Sequence, residues 1–348
     1  MTLDELKAIR LHRQHLTDRT DKLTVVRDLC GLQAQFMVNA RRALEIRCAE
    51  PITDENFGTD LVKNWSIRGT VHIFAESDLP LFKHDGAHYR SNDWSDHYRY
   101  SSSEPILTYD QYRRWGEFIV EQVAAGIGER EALKAVCTAH GMTQDQLDCF
   151  FDPWGGGMRA LCERGFLNYA VQEKKAFVLC PPYTPMNTPD AEREMVRRYF
   201  AHYAPATLRD AAYYFGWPQS KIKAILRDLP VVCVTVDSCD CFYLNALPAN
   251  CADIPRCLLL AGFDPLMLGY RKEDSIFLPL EHLRGIFNLA GIVMPPILLD
   301  GRVVGRWRHK GSRMTLEPFE PLDSAAKRTI TDTVEAQFPG LRRIDWGD

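Results

Sequence analysis

Three stretches of the chain repeat one order of elements, in which short helices are followed by strands. The order is clearest in residues 128–180. Here the apolar spacing predicts helices over residues 129–139, 143–151 and 155–164, and glycine and threonine stand at their boundaries. Residues 166–179 then form two short apolar segments around a polar turn. Three helices followed by a two-stranded ribbon are typical of a winged helix.

The same order is found on both sides of this stretch. Before it, the sequence predicts helices over residues 4–15 and 40–49, a helix capped by Thr24 between them, and a strand over residues 68–74. After it comes a linker with four prolines, residues 181–189. The linker leads to predicted helices over residues 192–203, 208–215 and 219–229, and to a ribbon over residues 231–244. We therefore expect three tandem winged-helix units.

From Cys257 onwards the pattern changes to strands and turns. Asp300-Gly301 lies between two apolar segments, residues 296–299 and 302–308, and this dipeptide favours a tight hairpin turn. A second turn precedes residues 313–318. The expected fold class is α+β, with three tandem winged-helix units and a C-terminal antiparallel β-domain. The expected segments are residues 1–110, 111–187, 188–255 and 256–348.

Charge is distributed unevenly along the chain. The formal net charge is −4, which by itself argues against a nucleic-acid partner. The predicted C-terminal hairpin differs, because it carries five basic residues and no acid: Arg302, Arg306, Arg308, Lys310 and Arg313. A local basic patch can bind phosphate whatever the net charge of the chain. The alternative is a charged strand face with Trp307 in the core.

Cysteine spacing and hydropathy narrow the class of protein further. The 11 cysteines include no Cys-x-x-Cys pair, so we expect reduced thiols and no metal site. No apolar run is long enough for a membrane-spanning helix, and the first residues lack the apolar segment of a signal peptide. A cytoplasmic protein is expected.

Gln33-Ala34-Gln35 follows a predicted helix at a point where the helical pattern weakens. On a regular helix, residues two apart point about 200° apart. The two glutamines can converge on one substrate only if the chain is extended or turning there. From the spacing alone, two surface glutamines are the simpler interpretation.

Five motifs together carry a resemblance to a known family. They are Cys30-Gly-Leu-Gln-Ala-Gln35 with Ala40-Arg-Arg42 and Glu45-Ile-Arg47, Trp65-Ser-Ile-Arg-Gly-Thr-Val-His72, Ala204-Pro-Ala-Thr-Leu-Arg-Asp210, Leu260-Ala-Gly-Phe-Asp264 with Gly269-Tyr270, and Asp300-Gly-Arg-Val-Val-Gly-Arg-Trp-Arg308. In this order they resemble the AlkZ/YcaQ-type winged-helix DNA glycosylases, a bacterial family that removes alkylated purines and unhooks interstrand crosslinks. The resemblance implies a concave DNA-binding shape.

The same resemblance assigns roles to individual residues. Gln33 and Gln35 match the catalytic Gln-apolar-Gln motif of the AlkZ branch, and the basic hairpin is similar to one that probes DNA. The resemblance implies that the partner is duplex DNA with alkylated or crosslinked purines. It implies no cofactor. We expect a monomer. Arg68, Thr70 and His72 either contact a phosphate beside the lesion or fix the first ribbon to its helices, and both possibilities stay open.

The chemistry suits glutamine if the lesion is cationic. A purine alkylated at N7 already carries a positive charge and leaves as a neutral base, so little acid assistance is needed. Glutamine is not a base near neutral pH, but its carbonyl can orient a water molecule and its amide can bond a sugar or phosphate oxygen. Two alternatives remain: a non-enzymatic DNA-binding regulator built from winged helices, and a protein-interaction scaffold of the same fold.

Overall fold

The computed structural model describes residues 1–87, 106–152, 156–248, 251 and 253–347. Its fold combines helices and sheets, which confirms the α+β class. The chain forms two compact units. The first combines Met1–Phe57 with Arg193–Asp348, and the second is Gly58–Glu192. Within the described ranges, no helix has both the length and the hydropathy to cross a membrane.

Four helices and one short strand form the N-terminal part of the first unit. They are α1 (Leu3–Arg13), α2 (Lys22–Asp28), β1 (Leu32–Gln33), α3 (Met37–Glu45) and α4 (Asp54–Phe57). Thr2 and Glu5 form a capping box at α1. The predicted cap of α2 was wrong: Asp21 is the N-cap, and its carboxylate accepts the backbone N–H of Thr24 at 2.9 Å. The third helix begins at Met37, three residues earlier than predicted.

The second unit contains the predicted helices of residues 128–180. Its elements are β2 (Leu61–Trp65), β3 (Val71–Ala75), α5 (Leu79–Phe82), α6 (Tyr109–Ala124), α7 (Arg130–Ala139), α8 (Gln144–Phe150), α9 (Gly157–Glu163), β4 (Leu167–Tyr169) and β5 (Phe177–Leu179). Within this unit the strands lie in the order β3-β2-β4-β5, all antiparallel. Buried aromatic and aliphatic side chains of α6 to α9 pack into one core with Trp65.

One predicted strand and one predicted helix of the second unit begin at later residues than the sequence predicts. The strand predicted from residue 68 begins at Val71, because Arg68 lies in a 3-10 turn with φ of 59°, which an extended strand does not allow. The first residue of the helix predicted over residues 155–164 lies outside the described residues, and the helix begins at Gly157.

The third predicted group of helices and its ribbon are present in the expected order. They are α10 (Thr188–His202), which spans the boundary of the two units, α11 (Leu208–Phe215), α12 (Gln219–Leu226), β6 (Val232–Val236) and β7 (Cys239–Tyr243). Thr207 caps α11 through a capping box with Asp210. Gly216 ends α11 with φ of 68°, a left-handed conformation that glycine adopts without strain.

The C-terminal part of the first unit is a five-stranded sheet with short helices. Its elements are β8 (Cys257–Leu259), α13 (Pro265–Leu268), α14 (Leu283–Ile286), β9 (Pro296–Leu299), β10 (Arg302–Lys310), β11 (Arg313–Pro318), α15 (Ser324–Gln337) and β12 (Arg343–Trp346). Asp300 and Gly301 both have positive φ in the turn between β9 and β10, as the dipeptide predicts.

The sheet differs from the expectation in one respect. Its order is β12-β11-β10-β9-β8, and β12 runs parallel to β11, so the sheet is not wholly antiparallel. The crossover helix α15 allows this parallel pairing. Ile330 and Val334 of α15 are buried in the same core as Trp307, Met314 and Leu316.

Candidate active site

A sharp reversal of the chain precedes the two glutamines. After α2 ends, Cys30 and Gly31 take φ of 54° and 86°, and the Gly31 N–H donates to the Val26 carbonyl at 2.7 Å. Two successive left-handed residues turn the chain out of the helix and into β1. Glycine is needed at the second position because a side chain is strained at this φ.

Two buried tyrosines fix the end of that helix. The hydroxyls of Tyr203 and Tyr214 both donate to the Leu29 carbonyl, at 3.0 and 3.2 Å. Their rings lie within a larger aromatic cluster of α10 and α11, with centroids 4.9 Å apart. Burial raises the pKa of Tyr203 well above its usual value, so the hydroxyl stays protonated and donates. These two hydrogen bonds therefore fix the end of α2, from which the chain reverses before the glutamines.

The glutamines lie where this reversal leads into α3. Gln33 ends β1, Ala34 is fully buried, and Gln35 is exposed in a bend before the helix. Gln33 is only 9% exposed, so the interpretation as two surface glutamines is wrong for this residue. Residues two apart in extended chain lie on the same side. The condition for convergence, an extended or turning chain, is met.

The helix after the glutamines is anchored by a motif arginine. Arg42 is buried, donates to the Leu259 carbonyl at 3.4 Å and bonds the Gln337 side-chain oxygen. Its guanidinium lies 4.7 Å from the ring centroid of Phe338 and 5.9 Å from that of Trp307. The segment that carries the glutamines is thus packed onto the sheet that carries the basic hairpin.

The Phe-Asp-Pro motif supports α3 from the same side. Asp264 caps α13 by accepting the Leu266 N–H at 2.9 Å, and it also pairs with Arg47. The Trp307 indole N–H donates to the Leu260 carbonyl at 2.9 Å. Three family motifs therefore meet in the first unit, although they are far apart in the sequence.

Arg68, Thr70 and His72 take three different environments in the second unit. Arg68 lies in the left-handed turn before β3, and the Thr70 hydroxyl donates to the Ile67 carbonyl at 3.1 Å. His72 is buried, with Nδ1 2.9 Å from the Ser66 hydroxyl. Burial, with a smaller contribution from Arg68, lowers the pKa of His72 to about 3, so the ring is neutral. Its position favours the structural alternative for His72.

Lys83 is a buried residue of this region that the sequence did not single out. Its Nζ donates to three oxygens at 3.1 Å each: Asn64 Oδ1 and the carbonyls of Trp65 and Cys162. Burial lowers the pKa of Lys83 to about 8. The lysine joins β2 to the end of α9 and so supports the Trp65–His72 motif from inside the unit. Only its burial distinguishes it from a surface lysine, and burial is not visible in the sequence.

Four arginines of the basic hairpin are paired with carboxylates. Glu317 accepts Arg306 Nε at 2.5 Å and also pairs with Arg308. Arg302 lies 3.7 Å from Glu281. Lys310 is exposed near the hairpin turn. Because two arginines share Glu317, that cluster keeps one positive charge.

A second shared carboxylate lies closer to the turn of the hairpin. Asp345 of β12 pairs with Arg313 and accepts Arg343 Nε at 2.6 Å. Hydrogen bonds from Arg343 and Arg313 hold the pKa of Asp345 below its usual value. This cluster also keeps one positive charge. Trp307 is buried in the core below, which confirms the alternative interpretation for that residue.

Two clusters of groups that could bind a metal occur among the described residues: His15, Asp28 and His202, and Glu281, His282 and Glu320. In the first, Asp28 Oδ2 lies 2.8 Å from His15 Nε2 and 3.3 Å from His202 Nδ1, so hydrogen bonds account for the contacts. Cys239 is exposed and Cys241 is buried, and neither thiol belongs to these two clusters.

Comparison with known proteins agrees with the motifs. A model of the AlkZ-like DNA glycosylase family matches residues 26–337. An interstrand DNA cross-link repair glycosylase of Streptomyces sahachiroi is 26% identical over 369 aligned residues, which cover 97% of this chain and 96% of that protein. The solved structure of Streptomyces sahachiroi DNA glycosylase AlkZ has the same fold, with a TM-score of 0.77 at 24% identity over 100% of this chain and 99% of that one. The chain therefore belongs to the AlkZ-like family of DNA glycosylases.

Proposed function

We propose that this glycosylase hydrolyses the N-glycosidic bond of purines alkylated at N7 in duplex DNA, and that it unhooks interstrand crosslinks formed through such purines. The observation that carries the proposal is the placement of Gln33-Ala34-Gln35 at the end of β1 and in the bend before α3, directly after a buried, hydrogen-bonded reversal. A relative that covers nearly the whole chain is described as a cross-link repair glycosylase, which supports the second half of the proposal.

The proposed reaction needs no group that titrates near neutral pH. Water attacks C1′ of the sugar, the bond from C1′ to N9 breaks, and its electron pair returns to the purine, which leaves neutral. The water proton passes to solvent. Gln33, the more buried of the two, orients the water through its carbonyl oxygen, and Gln35 bonds a sugar or phosphate oxygen.

The absence of a carboxylate from this motif has a consequence for substrate range. An aspartate would place negative charge near the developing oxocarbenium ion and could accept the proton. Two neutral amides supply positioning alone. We therefore propose that the enzyme is restricted to cationic lesions, because these bases leave without acid assistance.

We further propose how the DNA is held. The family fold would comprise the three winged-helix units and the C-terminal β-domain, in the segments 1–110, 111–187, 188–255 and 256–348, around a concave DNA-binding face. Arg68 and Thr70 would bond the backbone beside the lesion. The hairpin residues would contact phosphates: Arg302, Arg306, Arg308, Lys310 and Arg313. A monomer suffices for this arrangement. The enzyme would act in the cytoplasm, on the DNA of the nucleoid.

A panel of duplexes tests the substrate class. We expect release of 7-methylguanine and unhooking of an N7–N7 guanine crosslink, and no release of uracil or another uncharged base. Efficient removal of uracil would contradict the restriction to cationic lesions. Salt-dependent duplex binding without release from either alkylated substrate would instead favour the DNA-binding regulator, and failure to bind DNA at all would favour the interaction scaffold.

A further inference from the structure

Two aromatic rings stack directly after the glutamine motif. Phe36 and Phe263 have ring centroids 5.8 Å apart and planes inclined by 29°. This is an offset stack of ordinary dimensions. Phe263 is 4% exposed, whereas Phe36 is 43% exposed. The inner ring therefore supports an outer ring that still presents much of its surface to solvent.

The inner ring is held in a conformation that bulky residues rarely adopt. Phe263 has φ of 55°, and its N–H donates to the Val293 carbonyl at 3.2 Å. A Cβ added to Gly262 would lie 2.8 Å from the Asn39 side chain, so this loop is packed tightly against α3. Strained backbone that the surroundings fix in place is often found at functional sites. Here it fixes the position of Phe263 behind Phe36.

The outer ring has a defined place relative to the motif. Phe36 is the N-cap of α3 and the immediate neighbour of Gln35 in the chain. Val38, on the first turn of α3, is also exposed. Two exposed side chains cannot supply the roughly 1,000 Å² that a stable protein interface buries, whereas stacking on one nucleobase needs only one exposed ring face.

We propose that Phe36 is a base-stacking residue: its exposed ring packs on the nucleobase that flanks the alkylated purine on the same strand. The inference rests on the proposed function, because it places the lesion sugar at Gln33 and Gln35. Stacking on the flanking base holds the strand in register, so that the lesion C1′ lies at the oriented water. Stacking is tolerant of sequence, because every base has a π-face.

The test combines kinetics with a fluorescent base. The substrate is a duplex with 7-methylguanine flanked by 2-aminopurine, whose emission reports its stacking. We expect Phe36→Ala to slow single-turnover release about 10-fold, the loss typical of one base–aromatic stack, and to abolish the change in 2-aminopurine emission on binding. Phe36→Trp should keep both. Phe36→Leu keeps an apolar contact with Phe263 but removes the aromatic face, so it should behave like Phe36→Ala even if the alanine variant folds poorly.

The matched control is Phe166→Ala, which removes an exposed phenylalanine of the second unit and should match the wild type. Failure of this proposal is distinguishable from failure of the proposed function. If the wild type releases no alkylated base, the function fails. If the wild type is active and Phe36→Ala or Phe36→Leu retains its rate and its 2-aminopurine signal, the function stands and the stacking role is wrong.

Discussion

Arg47 and Asp264 form a bidentate ion pair in which both side chains are completely buried. The two contacts, Nη2 to Oδ1 and Nη1 to Oδ2, measure 2.7 and 3.0 Å. Arg47 also donates to the carbonyls of Gln14 and Ala43, so the guanidinium is well supplied with acceptors. The pair joins Arg47, two residues after the end of α3, to the loop that carries Phe263, and it thereby fixes the chain behind the candidate active site.

Removing one partner of this pair should destabilise the first unit strongly. Asp264→Ala leaves a buried guanidinium without its counter-charge, and we expect the free energy of unfolding to fall by about 3–5 kcal/mol. Urea unfolding monitored by circular dichroism measures this. Arg256→Ala, which breaks the exposed pair with Asp300 and leaves the Asp-Gly turn intact, is the control and should cost less than about 1 kcal/mol. Equal losses would mean that the buried pair contributes no more than a surface contact.

The tyrosine hydroxyls that bond Leu29 should be partly redundant. Either Tyr203→Phe or Tyr214→Phe leaves one donor on the carbonyl, and each should cost about 1 kcal/mol or less of stability. The double variant leaves a buried carbonyl unsatisfied, so we expect a loss larger than the sum and a slower release of base. Tyr213→Phe, on the exposed side of α11, serves as the control. Strict additivity in thermal unfolding would contradict this account of the reversal.

Stability should fall as the pH drops below the ordinary pKa of histidine. The folded state holds the pKa of His72 at about 3, whereas the unfolded chain has a pKa of about 6.5. Between these values the unfolded state binds more protons, so the free energy of unfolding rises with pH, by about 1.4 kcal/mol per pH unit for this one group. His72→Gln should reduce that slope in urea titrations from about pH 5 to about pH 7. An unchanged slope would show that His72 is not the neutral, buried group described here.

The charged residues of the hairpin should determine the DNA affinity and how steeply that affinity falls with salt concentration. Lys310→Ala should weaken binding to undamaged duplex and lower the magnitude of the slope of log K against log salt by about 1, as for one lost phosphate contact. Glu317→Gln should act in the opposite direction, because it leaves Arg306 and Arg308 without their shared carboxylate. Lys174→Ala, at an exposed pair with Glu129, is the control. If both hairpin variants bind like the wild type, the hairpin does not contact DNA.

Local chemistry explains which parts of the fold could be predicted. The threonine at the start of α8, Thr143, and the Asp-Gly turn at residues 300–301 depend on neighbours within three residues, and both form as expected. The start of α3 was placed too late, because its N-cap is Phe36, whose side chain offers no acceptor for a capping hydrogen bond.

Long-range contacts explain what could not be predicted. Three features depend on contacts between residues far apart in the sequence: the parallel pairing of β12 with β11, the stack of Phe36 on Phe263, and the buried hydrogen bonds of Lys83. The resemblance to the family identified Gln33 and Gln35, whereas their spacing alone favoured surface residues. The spacing was misleading only for Gln33, which lies in β1 directly after the left-handed turn at Cys30 and Gly31 and is buried, whereas Gln35 is exposed.

The most direct test of the central claim is single-turnover release of 7-methylguanine from alkylated duplex by the wild type and by Gln33→Ala/Gln35→Ala, with duplex affinity measured in parallel. We predict that the double variant binds DNA nearly as well as the wild type and releases no base above the spontaneous rate. A double variant that releases 7-methylguanine at the wild-type rate would contradict the assignment of this motif as the catalytic site.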